Sequence, residues 1–448
     1  MSAPPIRRTL VLVDGEHHPS VTRDAIEHAR ARGYDVVAAV LVGGTEKLTT
    51  PGPPDLGVPV HAPAGPPPAA LAAALEATEP EVVLDLSDEP VLSPGLRMAC
   101  VAEALARDIA YEAPGARFSP PPRQPPPTGL ACLAITGVGK RIGKTAVSGE
   151  AARRAAARDL GPVVVAMGRG GPARPEVADP ATLSLASLGR LAAEGRHAAS
   201  DHLETAFTTG VVAVGARRVG GGPAGEPFAS NVAQALEVAA ALAPGIAILD
   251  GSGASAPPVR AHAELLVVPA AHPIRRFEET LDRVRLLRAD AVVVTLGDGP
   301  VPGSEDLTSL LQHLRGASGQ VNVVTARIQT QASADVRGRD AYFLTTAHPD
   351  AAAAQAASLQ ASAGCRIVGW SAALADRARL VRDLEGAPGY DVLLTELKAA
   401  AIDTAAQQAQ ARGADVVVVA NRLHSVDGDL EVLLDLVIDL ARDRAASA

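Results

Sequence analysis

The stretch TGVGKRIGKT, residues 136–145, sets glycines at 137, 139 and 143 ahead of a Lys-Thr pair. Between a strand and a helix, such a loop is an anion cradle: backbone N–H groups point at phosphate oxygens, and the helix dipole favours negative charge. Lys144 then reaches the β- and γ-phosphates of ATP, the Thr145 hydroxyl ligates Mg²⁺, and Lys140 lies within the loop. The standard spacing, G-x-x-x-x-G-K-[ST], would put the first glycine at Val138, so Gly137 stands one place early.

A second metal ligand is expected from AILDGSGAS, residues 247–255, where Asp250 ends an apolar run before a glycine turn. The alternative is a turn aspartate that caps the next segment. Three further segments combine arginine with small residues: AMGRGGPARPEV offers Arg169, Gly170 and Gly171, EGRHAASDH offers Arg196, His197, Ser200 and His202, and GARRVGGG offers Arg217 and Arg218. Glycine lets backbone approach a phosphate, and arginine supplies a bidentate fork. Each alone reads equally as a solvated loop, but three in one ATP-binding region point to a second polyanion beside ATP.

Of 41 basic residues only Lys47, Lys140, Lys144 and Lys398 are lysine. A chain so biased toward arginine is expected to keep lysine where a compact ammonium with three donors is needed, and two of the four lie in the P-loop. Lys47 and Lys398 each follow a strand by a few residues, which in a doubly wound fold sets them near the ligand-binding edge. The alternative for both is survival by chance.

These groups need a scaffold. TLVLVDGE (9–16), a helical stretch to about Arg32 and DVVAAVLVGG (35–44) read as a β-α-β unit, continued by EVVLDLSDEP (81–90) and a helix across 94–107. Six prolines within 120–127 read as a semi-rigid linker. Beyond it come LACLAIT, the P-loop and a helix of roughly 15 residues. PVVVAMG, IAILDG, ELLVVP, AVVVTLG, VNVVTA, YFLTTA, RIVGWS, DVLLTE and DVVVVAN follow, alternating with Ala-rich helical stretches. Near-continuous Val/Ile/Leu runs indicate parallel strands covered on both faces. The expected fold is α/β: a smaller N-terminal domain, 1–127, that serves as substrate domain or lid, and a large P-loop domain with a mostly parallel sheet, 128–448, with a boundary near 335 as the alternative.

Composition narrows the functions. The 448 residues exceed one core, and the net charge of −9 argues against a general nucleic-acid binder, which needs surplus cations. No run approaches the ~18 apolar residues of a membrane helix, and the N-terminal stretch turns acidic before a signal-peptide core forms, so a cytoplasmic protein is expected. Cys100, Cys132 and Cys365 are odd in number and lack metal-ligand spacing, consistent with small buried hydrophobes.

The shifted glycine resembles the loop of dethiobiotin synthetase and the cobyrinic acid amide synthases. More specifically, LVDGEHHP, VGGTEKL, LDLSDEPV, GKRIGKTAVS, VVAMGRGGP, GRHAASDH, GSGA, LLTELKAAAID and VDGD occur in the same order as in the cyclic 2,3-diphosphoglycerate synthetase family of methanogenic archaea. That resemblance implies ATP- and Mg²⁺-dependent closure of 2,3-bisphosphoglycerate into an internal phosphoanhydride, by γ-phosphoryl transfer to one substrate phosphate and displacement of inorganic phosphate by the other. The chain departs from the family at Asp250, where glutamate is usual. The expected catalytic set is Lys144, Lys140, Arg169, Lys398 and Lys47; the nucleotide set is Gly137, Gly139, Gly143, Lys144 and Thr145; the metal set is Thr145 and Asp250. Substrate contacts are expected from Arg169, Arg196, His197, Arg217, Arg218, Asp14, Glu16 and His17, and a homodimer is expected.

Asp14, Glu16, His17 and His18 cluster at one strand end, and Asp85, Asp88 and Glu89 at another. Substrate or lid contacts, a metal site and structural capping all remain open for them. Two other classes of function share the P-loop: a ligase that activates a carboxylate, and a switch ATPase that binds proteins. The first needs fewer arginines, and the second is normally marked by a Lys-Gly-Gly loop absent here.

Overall fold

A computed structural model describes residues 7–48, 52–62, 65–297, 304–317 and 321–448. Residues 1–6 of the stretch judged against a signal peptide lie outside them. The chain divides into two units, one made of Met1–Pro122 with Pro273–Arg288 and the other of Arg123–His272 with Ala289–Ala448. The segment 273–288 therefore belongs to the first unit although it lies deep in the P-loop sequence. Among the described residues no helix is long and apolar enough to cross a membrane.

Unit 1 is a doubly wound sheet of β1 (Arg7–Val13), β2 (Tyr34–Leu41), β3 (Val60–His61), β4 (Val82–Asp85), β5 (Ala110–Ala113) and β6 (Ala116–Phe118), ordered 3-2-1-4-5-6. Every pair is parallel except β5 with β6. Helices α1 (Pro19–Ala31), α2 (Pro67–Thr78) and α3 (Pro94–Ala106) make the connections, each with proline in its first turn, where a missing N–H costs nothing. Two short helices, Arg275–Glu279 and Asp282–Arg288, pack on α3. Arg283 pairs with the buried Glu103 at 2.6 Å and Arg288 with Asp108 at 2.9 Å. The strand order reverses between β1 and β4, so the carboxyl ends of these strands flank the switch point.

Unit 2 holds one 13-stranded sheet. Its first half comprises β7 (Cys132–Gly137), β8 (Pro162–Gly168), β9 (Glu176–Ala178), β10 (Ala213–Val219), β11 (Ala229–Ser230), β12 (Ile246–Asp250), β13 (Ala263–Pro269), β14 (Ala291–Leu296) and β15 (Asn322–Ala332). The order 10-8-12-7-13-14-15 is parallel throughout, with β9 and β11 antiparallel on β10. Helices α4 (Lys144–Ala157), α5 (Leu185–Ala193), α6 (Asp201–Thr209) and α7 (Val232–Ala240) serve this half. The second half comprises β16 (Asp340–Leu344), β17 (Arg366–Ser371), β18 (Val392–Glu396) and β19 (Asp415–Asp427), parallel to one another in the order 19-18-16-17. All nine strands read from the Val/Ile/Leu runs beyond the P-loop are present. β10 is not among them, because AVGARRV has little β-branched content and reads as a polar loop.

The halves join where β15 runs antiparallel to β19. Thr295 on β14 is level with Ala326, whereas Glu396 at the end of β18 is level with Val419 and so with Ala332. Six residues separate Ala326 from Ala332, about 20 Å of strand. Because β18 runs opposite to β14, the carboxyl edges of the two halves face each other across that distance. The alternative boundary near 335 falls just past β15, yet a single sheet runs through both sides of it.

Candidate active site

The P-loop is built by exclusion of side chains. β7 is buried along its whole length, and a Cβ on Gly137 would stand 2.7 Å from Ile142 Cδ1 and 2.9 Å from Lys144 Cδ. Glycine there lets the lysine fold back over the loop, where Nζ donates to the Gly139 carbonyl at 2.5 Å. Gly143 has φ +92°, and a Cβ on it would meet Ile328 Cδ1 at 2.7 Å. Gly139 has only an ordinary contact at 3.8 Å, so crowding does not demand glycine at that place. Thr295, at the end of β14, donates to the Ile142 carbonyl at 2.8 Å and pins the loop. It went unnoticed in the sequence, where its one signal is a threonine closing an all-valine run.

Thr145, in the first turn of α4, stands beside Asp250 at the end of β12 and favours its ionised form. Asp250 is 4% exposed and its Oδ1 has no partner. Burial pushes this carboxyl up to about 7; Lys144 opposes the shift, and Asp201 adds to it. A hydroxyl and an unmet buried carboxylate oxygen beside a phosphate cradle fit Mg²⁺, which takes few protein ligands and keeps waters and phosphate oxygens for the rest. No group of three or more His, Cys, Asp or Glu spaced for a metal occurs among the described residues. Asp201 opens α6 with its Oδ2 2.6 Å from where a Gly168 Cβ would stand, and it forms no ion pair among the described residues. The sequence hid it inside a segment read for its cations.

Beside this pair the cations converge. Gly253 has φ +63°, and the point where its Cβ would lie is 2.9 Å from Arg169 Nη2, 3.1 Å from Arg218 Nη2 and 3.7 Å from Lys140 Cγ. The loops after β8 and β12 and the end of β10 thus meet the P-loop at one glycine. Arg218 donates to the Ser252 carbonyl at 2.8 Å, while its buried Nε has no partner. Burial, and next the Arg169 charge, lower its pKa. Arg169, Arg218 and Lys140 form no ion pair with a carboxylate among the described residues. Gly171 allows the close approach, since a Cβ there would lie 2.0 Å from the Ala216 carbonyl oxygen.

The other basic candidates part company. Strand alternation turns Arg217 to the face opposite Arg218, and it is exposed. Arg196 pairs with Glu176 at 2.8 Å on the surface. His197 lies 3.3 Å from where a Gly170 Cβ would stand, and with Arg196, Ser200 and His202 it lines a neighbouring cavity of about 360 Å³. Burial lowers the His202 pKa to about 4, and its Nδ1 faces the Ser200 hydroxyl at 3.2 Å. Lys398, two residues past β18, pairs with Glu204 of α6 at 3.3 Å, and both line a small cavity with Thr145.

The N-terminal candidates lie in unit 1. Asp14 is 4% exposed, and its carboxylate accepts from the Glu16, His17 and Asp88 amides at 3.0, 3.2 and 2.7 Å and faces His17 Nδ1 at 2.8 Å. His17 Nε2 lies 3.3 Å from Asp88. Asp85 accepts from Ser87, Arg97 and Tyr111. His18 instead caps α1 through Ser20. The Gly15 and Gly43 backbones bond at 2.8 Å, which locks the loops after β1 and β2 together and holds Glu16 beside Glu46. Lys47 is half exposed and pairs with Glu46. Glu89 lies 3.9 Å from Arg97.

Three family models cover most of the chain: the N-terminal domain of cyclic 2,3-diphosphoglycerate synthetase over residues 8–119, its P-loop domain over 132–327 and its C-terminal domain over 333–422. A cyclic 2,3-diphosphoglycerate synthetase of Rubrobacter xylanophilus is 40% identical over 417 residues, 92% of this chain and 93% of that one. The enzyme of the same name from Methanothermobacter thermautotrophicus is 35% identical over 446 residues, 96% and 95% of the two chains. Among solved structures, LpxK from Aquifex aeolicus in complex with ATP aligns with a TM-score of 0.41 and 12% identity, over 71% of this chain and 90% of that one.

Proposed function

The chain belongs to the cyclic 2,3-diphosphoglycerate synthetase family, and from that premise we propose that it closes 2,3-bisphosphoglycerate into cyclic 2,3-diphosphoglycerate at the expense of ATP. The observation that carries this reading is the convergence of Arg169, Arg218 and the stem of Lys140, none of them paired with a carboxylate among the described residues, on the glycine next to the P-loop. Three cations without counter-ions are costly in a carboxylate-activating site and suited to a substrate with two phosphates.

In the first step an oxygen of one substrate phosphate bonds to the γ-phosphorus, the bond from that phosphorus to ADP breaks, and ADP leaves. In the second, an oxygen of the other substrate phosphate attacks the phosphorus just extended. The ring phosphoanhydride forms, and the former γ-phosphate leaves as inorganic phosphate. Both steps need alignment and charge neutralisation more than proton transfer, because the reacting groups are already ionised. Lys144 neutralises the transferring phosphoryl group, and the loop amides hold the β-phosphate. Arg169 and Arg218 hold the accepting phosphate in line, with Lys140 at the boundary between donor and acceptor. Thr145 and Asp250 would hold Mg²⁺, which when bound supplies further neutralisation of the β- and γ-oxygens. Arg196 and His197 reach the substrate from the neighbouring cavity.

Phosphorus NMR of a mixture of the protein, ATP, Mg²⁺ and 2,3-bisphosphoglycerate tests the reading. One ring phosphoanhydride should appear for each ATP consumed. ATP turnover indifferent to the bisphosphate, or a carboxyl-phosphate or amide product, would transfer the chain to the carboxylate-activating class.

A further inference from the structure

The ion pair between Lys398 and Glu204 spans the two halves of the unit 2 sheet. Glu204 lies in the first turn of α6, which packs against β8 and β10 of the P-loop half, whereas Lys398 comes from the loop after β18 of the C-terminal half. The facing carboxyl edges of the halves bring them to 3.3 Å. Both line, with Thr145 and Asn421, one cavity of about 30 Å³. Thr145 is in the first turn of α4, so the pair stands beside the helix into which the P-loop opens, and the Lys398 charge acts on Asp250.

Glu204 is largely buried, its side chain 13% exposed, and a buried carboxylate is costly unless something requires it. Its surroundings do not require it for packing. Arg153, on the same cavity, is committed to Glu150 at 3.0 Å, and the other charged neighbours, Asp201 and Glu396, are acids. Glu396 is meanwhile held by Thr345 and Thr346. What Glu204 does is hold one lysine from a distant part of the chain.

We propose that Glu204 is a positioning residue: it holds the Lys398 ammonium, delivered from the C-terminal half, against the transferring phosphoryl group of the nucleotide. The proposal rests on the reading of Lys398 as a group that acts on phosphate, and it adds the residue through which that group is placed. A flexible four-carbon stem gives an ammonium many positions, so a fixed counter-ion is what aims it. In the bound state Lys398 then shares its three donors between Glu204 and a phosphate oxygen.

The test is a double-mutant cycle in the full-length protein with Mg²⁺, ATP and 2,3-bisphosphoglycerate. Lys398→Met and Glu204→Gln should each lower kcat about tenfold or more, with KM for ATP changed by less than about twofold. If Glu204 acts through Lys398, the double variant is no slower than Lys398→Met alone. Glu204→Asp, which keeps the charge on a shorter stem, should restore part of the loss. Glu204→Gln keeps the shape but leaves the Lys398 ammonium without its counter-ion, so its melting temperature should fall. If that variant unfolds, the cycle is run with Glu204→Asp. Losses that multiply in the double variant, or wild-type kcat in both Glu204 variants, overturn the proposal. If the wild-type protein forms no cyclic product, the reading of its substrate fails on its own. The same cycle on ATP hydrolysis then decides whether Glu204 still acts through Lys398.

Discussion

Two switch points of parallel sheets sit in this chain, and they treat their polar side chains in opposite ways. In unit 1 the ends of β1 and β4 carry Asp14 and Asp85, and each carboxylate is met by several donors from nearby loops. In unit 2 the ends of β8, β10 and β12 carry Arg169, Arg218 and Asp250, which keep unmet donors, an unmet oxygen and unpaired charge. An unsatisfied buried polar group costs about 1–3 kcal/mol, so a fold keeps one where a ligand will meet it. Edge position alone therefore does not mark a functional residue. Unspent hydrogen-bonding capacity is what separates these two edges.

The largest expected break in this contrast is Lys144→Ala, which should lower ATP turnover by a factor of about a thousand or more, with the melting temperature nearly unchanged. Wild-type turnover in steady-state assays would move the nucleotide site elsewhere. Next, Asp85→Ala should cost about 3 kcal/mol of stability by leaving Arg97 and Tyr111 without their acceptor, while nucleotide affinity stays the same. Denaturant titration and calorimetric binding read the two quantities separately, and lost affinity with unaltered stability would place Asp85 among the ligand contacts. Arg218→Gln should show the reverse pattern. KM for 2,3-bisphosphoglycerate should rise about a hundredfold, roughly 2.7 kcal/mol, and stability should hold or rise as the repulsion from Arg169 is relieved. A large drop in melting temperature would make Arg218 a structural residue.

The pH dependence of Asp250 sharpens the same comparison. Its native carboxyl is raised from 3.8 to about 7, so between those values the folded state holds a proton that the unfolded state has lost. The contribution of this group to stability accordingly falls as pH rises through that window. Binding of Mg²⁺ with ATP needs the ionised form and should strengthen over the same rise, levelling off above about pH 7. Titration calorimetry at pH 6 and pH 8 should show this gain in the wild type and not in Asp250→Asn; an equal gain in both would assign it to another group. The smallest effect is expected in unit 1. Lys47→Arg should lower cyclisation about tenfold, roughly 1.4 kcal/mol, without loss of stability, because the side chain is half exposed on Glu46. Unchanged kinetics would remove Lys47 from the chemistry and leave the unit 1 edge purely structural.

Much of this is legible in the sequence. Strand and helix periods, the glycine-lysine-threonine turn and the acid after an apolar run are local patterns, and local sterics and burial decide them within a few residues. The motifs shared in order with the synthetase family are likewise a property of the string. What the string left open depends on register and on contacts between distant positions. Arg217 and Arg218 are adjacent and chemically alike, and only the inclusion of AVGARRV in a pleated strand sends one to Ser252 and Gly253 and leaves the other exposed. Asp14 stands next to Glu16 and His17 in the string, and only the fold brings the Asp88 amide, from another loop, to its second oxygen. Residues 273–288 read as part of the P-loop region and belong to unit 1. The pairing of Glu204 with Lys398 follows from a single antiparallel joint, β15 on β19, which turns one half-sheet's carboxyl edge toward the other. Pairing direction between strands so far apart is set by the packing of the whole sheet, and no local pattern in either strand encodes it.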